Sequence, residues 1–105
     1  MKRKKFTTAL TPEDLLDITL FIDKQEVIRF ALNYRALIRG AWRVVYRVDN
    51  FHGFLHEQKF WRSPKPVRIE RGELTPLIDL IDKYFDYITD NFRRFKSYYE
   101  DSLTK

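Results

Sequence analysis

At 105 residues, with 44% hydrophobic and 16% aromatic residues, the chain matches one folded domain in length and apolar content, because two cores of about fifty residues would each be marginal. Four Pro and three Gly exclude a collagen-like or low-complexity chain, and the lack of Cys excludes a disulfide framework, a Cys-ligated zinc site and a thiol nucleophile. The net charge of +5 favours a polyanionic partner. The absence of an apolar run of about eighteen residues, or of an apolar signal core after Lys2-Arg3-Lys4-Lys5, predicts a soluble, cytoplasmic protein without membrane association.

Residues 1–10 hold four cations, no acid and no periodic pattern, which predicts a flexible basic tail ahead of a single domain over 11–105. Thr11-Pro12-Glu13-Asp14 has the residue types of a helix start. Leu16, Ile18, Leu20 and Ile22 then alternate with Asp17, Thr19, Phe21 and Asp23, so the expectation is one turn followed by a strand over 16–22. A short helix over 12–22 would also gather Leu15, Ile18 and Ile22 on one side, and that alternative stays open. Residues 27–37 alternate again, with Ile28, Phe30, Leu32 and Tyr34 opposite Arg29, Asn33 and Arg35. After a turn at Arg39-Gly40, residues 41–49 place Trp42, Val44, Tyr46 and Val48 opposite Arg43, Arg47 and Asp49, and the two strands should pair as a hairpin.

Asp49-Asn50-Phe51-His52-Gly53 gathers turn-forming residues ahead of a fourth strand over 54–61, and Ser63-Pro64-Lys65-Pro66 should leave the sheet, since Pro has no backbone donor. Thr75 and Pro76 then open a helix whose Leu77, Ile81, Tyr84, Ile88, Phe92, Phe95 and Tyr99 form one apolar stripe. The predicted fold class is α+β: an antiparallel meander of about four strands with one long C-terminal helix packed on one face. The other face should present Arg29, Arg35, Arg43 and Arg47, and Ala31 and Val45 on it would suit a homodimer contact. Low Met, Gln and Asn with no Cys lean toward a thermophilic source.

No Gly-rich phosphate loop, His-Glu-x-x-His helix or Gly-x-Ser-x-Gly elbow is present. The densest polar constellation is Arg47-Val48-Asp49-Asn50-Phe51-His52-Gly53-Phe54-Leu55-His56, which holds both histidines. Three readings compete for it. His52 and His56 could serve as general base and acid in metal-independent RNA cleavage, with Arg47 or Arg35 stabilising the phosphate's developing charge. His52, His56 and Asp49 could instead ligate a metal, although no further ligand stands nearby, and neither a metal nor another cofactor is expected. Finally, Asp49 and Asn50 could only shape the turn, with Arg47 paired to Asp49 and His56 beside Phe54 and Phe60. Just beyond, Lys59, Trp61, Arg62, Lys65, Arg68 and Arg71 mix cations with an aromatic, as single-stranded nucleic-acid sites do; a solvated loop with a docked Trp61 is the simpler alternative.

The stretch from Phe30-Ala31-Leu32-Asn33-Tyr34-Arg35 through Trp42 to Arg47-x-Asp49-Asn50-x-His52-Gly53 and His56 resembles small archaeal and bacterial proteins with an Arg-x-Asp-Asn-x-His-Gly signature, themselves similar to TumE-type toxins of toxin–antitoxin pairs. The resemblance covers roughly residues 28–60. It implies a compact α+β protein acting on RNA and neutralised by an antitoxin protein. A further histidine that this family often carries two residues after the position of His56 is Gln58 here, which weakens both a metal site and a histidine-rich catalytic site. The expected function is therefore that of a toxin-like, RNA-directed protein with His52, His56 and Arg47 as catalytic candidates. Arg35, Asp49, Asn50, Lys59, Trp61 and Arg62 are the binding candidates. The alternative is a non-catalytic module that binds nucleic acid or a protein partner.

Overall fold

The computed structural model describes residues 1–70 and 75–104. Six strands follow one another across a single antiparallel sheet: β1 (Lys2–Thr11), β2 (Asp14–Asp23), β3 (Glu26–Ile38), β4 (Ala41–Asp49), β5 (His56–Lys59) and β6 (Val67–Arg68). Helix α1 (Leu77–Ser102) closes the chain. The α+β class, the meander and the C-terminal helix are as expected, with six strands in place of four.

The two additional strands have separate causes. Residues 1–10 are not a tail. They pair with β2, and Phe6 lies opposite Ile18 and Thr8 opposite Leu16, so the strand's backbone finds partners despite the run of like charge. Its Lys and Arg side chains sit on a sheet edge, where cations discourage further pairing. At the other edge, the Pro-containing stretch leaves the sheet only briefly. Val67 and Arg68 return to pair with Glu57 and His56, and β5 is confined to four residues of the expected 54–61.

The helix-start residues at 11–14 instead form the β1–β2 turn. The Thr11 hydroxyl accepts the Glu13 N–H at 3.1 Å and donates to the Asp14 carboxylate, the local bonding that makes the same residue types good helix caps. The next two hairpins turn at Lys24-Gln25 (φ 50° and 67°) and Arg39-Gly40 (φ 54° and 77°), left-handed pairs of the type I′ kind that match strand twist.

A bulge in β4 changes which residues share a face. Tyr34 pairs with Tyr46 but Arg35 pairs with Val44, leaving Val45 as the extra residue, buried in the core beside Tyr46. The alternation shifts phase at that point. Trp42 and Val44 therefore lie on the opposite face from Tyr46 and Val48, and Arg43 pairs with buried Ala36 and donates to the Ile38 carbonyl at 3.2 Å, away from the arginine face expected for it. The homodimer patch expected of Ala31 and Val45 is not available, since Val45 is in the core and Ala31 is buried within the monomer.

Helix α1 packs over β3 and β4. Leu80, Ile81, Tyr84, Ile88, Phe92 and Phe95 are its buried residues, with Phe92 edge-on to Tyr34 at 5.9 Å and Phe95 stacked on Tyr46 at 5.2 Å. The N-cap is Pro76, one residue after the expected Thr75. Asp79 lies in the first turn, while no base lies in the last, so the dipole is complemented only at its start. Among the described residues every buried polar side-chain atom has a partner. The Tyr34 hydroxyl, for example, donates to Asp14 at 2.5 Å.

Candidate functional site

Residues paired directly across an antiparallel sheet share a face, so the register identifies what lies on the side away from α1. One register row runs Lys5, Thr19, Ala31, Asp49, His56, Arg68 across all six strands. The next runs Thr7, Asp17, Asn33, Arg47, Gln58. The central constellation is therefore built by strand pairing: Asp49 meets His56, and Arg47 meets Gln58, only because β5 folds back on β4.

Asp49 is the hub. It is 3% exposed, and its carboxylate accepts from Arg47 Nε at 2.8 Å, His56 Nε2 at 3.1 Å and the Phe51 N–H at 3.0 Å. His56, 7% exposed, has its other nitrogen, Nδ1, 3.4 Å from the Phe54 carbonyl. Both of its ring nitrogens thus face acceptors of the protein itself. His52 is exposed, and its ring stacks on that of His56 with centroids 5.5 Å apart and planes at 27°. Gly53, with φ 84°, makes the turn that carries it there. These groups, together with Phe51, Gln58 and Pro66, line a pocket of about 260 Å³.

The three expected catalytic residues do converge, but not as equals. His52 reaches solvent. Arg47 spends Nε on Asp49, and its guanidinium carbon lies 5.6 Å from the Phe51 ring centre. His56 is buried, with its ring nitrogens facing the Asp49 carboxylate and the Phe54 carbonyl, so His52 is the histidine of the pair that reaches solvent.

The binding candidates divide. Asn50 is structural: its Oδ1 accepts the Phe30 N–H at 2.8 Å and its Nδ2 donates to the Ile28 carbonyl at 3.3 Å, continuing the β3 ladder one residue beyond β4. Arg35 shares the outer face but lies outside the pocket, in a two-point pair with Asp17 (2.9 and 3.3 Å) and 5.4 Å from the Trp42 ring centre. Partial burial pushes the Asp17 carboxyl up, but the Thr7 hydroxyl, Arg35 and Asn33 outweigh it and hold Asp17 below the usual carboxylate range.

Lys59, Trp61 and Arg62 belong to the other side of the sheet. Lys59 pairs in register with Tyr46 and lies 3.8 Å from Glu57, whose carboxylate accepts the Tyr46 hydroxyl at 2.6 Å. Trp61 stacks on Phe95 at 5.1 Å and packs against the core, as the docked alternative has it. These residues do not join the histidine pocket, and Arg71 lies outside the described residues.

Sequence reasoning passed over Phe51 and treated Gln58 only as a missing histidine, yet both line the pocket. The period-two rule held the signal for Gln58: it is two residues from His56 and so on the same face. Among the described residues no group of three or more His, Asp or Glu side chains is placed to hold a metal ion, so Asp49, His52 and His56 do not make a ligand set. No described helix is long and apolar enough to cross a membrane.

No curated protein and no solved structure matches the chain. One family model does, over residues 1–105, and its description is "Domain of unknown function (DUF7718)". With the whole length covered, the chain belongs to the DUF7718 family.

Proposed function

We propose that the protein is a toxin-like, metal-independent ribonuclease whose site is the pocket of Arg47, Asp49, His52 and His56. The observation that supports this best is the solvent-reaching His52 ring stacked on a His56 ring that Asp49 holds, with Arg47 on the same carboxylate. An imidazole open to solvent is the side chain best suited to accept a proton in general base catalysis, and the fixed ring below limits its orientations. His52 takes the proton of an RNA 2′-hydroxyl as that oxygen attacks phosphorus. The bond from phosphorus to the 5′-oxygen breaks, the leaving oxygen takes a proton from solvent, and a 2′,3′-cyclic phosphate remains. Arg47 offsets the charge that builds on the phosphate oxygens. The toxin assignment, with an antitoxin protein as partner, rests on the Arg47-x-Asp49-Asn50-x-His52-Gly53 resemblance.

The test is incubation of purified wild type and His52→Ala with total RNA and with an oligonucleotide, in the presence of a chelator. Wild type should release ends bearing cyclic phosphate, and His52→Ala should be slower by about a hundredfold or more. A 2′-deoxy oligonucleotide should not be cut. Absence of cleavage by wild type, or equal cleavage by the variant, refutes the proposal.

A further inference from the structure

The outer face carries more than the pocket. The register row through Asp49 and His56 ends in a cation on both sheet edges, Lys5 on β1 and Arg68 on β6. The row Arg3, Phe21, Arg29 lies alongside it on β1 to β3, and both arginines are exposed. Two loop rings bridge these cations to the histidines. Phe51 meets Phe21 edge-on at 5.5 Å, and Phe54, 40% exposed, lies 5.5 Å from His56 with Arg68 over its face at 5.1 Å. Crossing the face perpendicular to the strands, one meets Arg68, Phe54, the histidine pair, Arg47, Phe51, Arg29, Phe21 and then Arg3. Cations and rings alternate.

The acids do not cancel this charge. Asp49 is engaged by Arg47 and His56, Asp17 by Arg35, and the contact of Arg68 with Glu70, at 3.8 Å between exposed side chains, is of the weak surface kind. Arg3, Lys5 and Arg29 are exposed cations, and the one acid of their rows, Asp49, lies three strands from Lys5 and is engaged by Arg47 and His56.

We infer that this stripe is a path for single-stranded RNA across the sheet, phosphates on its cations and unpaired bases on its rings, leading the chain over the histidine pocket. The inference rests on the RNA-directed reading and adds the form of the substrate. Six strands at about 4.8 Å spacing give a track of roughly 24 Å, enough for the four or so nucleotides a small single-strand platform holds. A duplex keeps its base faces covered and offers the rings nothing to stack on.

The test is fluorescence anisotropy with a labelled single-stranded RNA and its duplex, using His52→Ala protein so that the probe stays intact. The single strand should bind more tightly than the duplex. Adding Phe54→Ala should weaken single-strand binding by about fivefold or more, as loss of a stacking ring does, with recovery in Phe54→Tyr. Adding Arg3→Ala with Arg29→Ala should reduce the salt slope by about 1.4, at about 0.7 per phosphate contact on a single strand. A duplex bound as tightly as the single strand, or Phe54 and arginine variants that bind like their parent, overturns the path. Cleavage by wild type that Phe54→Ala and the arginine pair leave unchanged, with unchanged affinity, keeps the ribonuclease and removes the path. Weakened binding in these variants with no cleavage by wild type keeps the path and removes the ribonuclease.

Discussion

Asn50 illustrates how one residue of a chemically suggestive motif can belong to the fold. Its side chain bonds both a backbone donor and a backbone acceptor of β3, so it takes the place of a strand residue where β4 has ended. Asn50→Ala should lose about 1–3 kcal/mol of stability, because two strand groups lose their partner. The loss would be read as a lower urea midpoint with an unchanged slope, and a midpoint equal to wild type would refute the structural role. Asp49 differs from it in kind. Its three partners all belong to the pocket or its rim, so it sets the placement of Arg47 and His56 together. Both residues were legible as turn formers. Only Asp49 is joined to a side chain that pairing brings back from six or more residues away.

At the level of elements, the hairpins carry the fold. The alternation over 16–22, 27–37 and 41–49 marked β2, β3 and β4 because a half-buried strand must alternate. β1 was hidden, since its four cations imitate a solvated tail, and β6 was hidden by two prolines and its length of two residues. The β2–β3 turn suggests an improvement. Lys24 and Gln25 both take left-handed φ, a conformation that costs an ordinary side chain about 1 kcal/mol. Lys24→Asn with Gln25→Gly, the preferred type I′ pair, should raise stability by about 1 kcal/mol in chemical denaturation. A decrease would show that this turn is held by contacts other than its backbone.

For the whole molecule, the sheet separates two surfaces that sequence proximity had merged. Lys59, Trp61 and Arg62 follow His56 closely in the chain, yet they lie on the helix side, where burial and the Glu57 carboxylate push the Tyr46 hydroxyl well above the usual phenol range. Burial and Asp14 do the same to Tyr34. Both phenols are therefore protonated in the native state at pH values where an unfolded tyrosine, near 10, ionises. Unfolding releases these protons, so the tyrosines' contribution to stability should be constant below pH 10 and decline as the pH rises beyond it. Asp17 works in the opposite direction: held below 3.8, its contribution is present above that value and is lost as the pH falls through the native-state value. Urea midpoints across pH, with tyrosinate absorbance followed at the alkaline end, check both arms. An alkaline arm as steep in the Tyr34→Phe, Tyr46→Phe double variant as in wild type would refute the tyrosine assignment.

The sequence by itself determined the class: period two over successive segments requires strands, period 3.6 over the last segment requires a helix, and short turns between them require an antiparallel meander. It also singled out residues 47–56 as the densest polar stretch, through composition alone. What only the tertiary structure decided is which side chains meet. One extra residue at Val45 inverts the phase of half of β4, and the β4–β5 register sets His56 against Asp49. Periodicity is a local property, whereas bulge position and strand register are chosen by the burial and pairing of partners distant in the chain. The composition of the site was therefore legible, and its geometry was not.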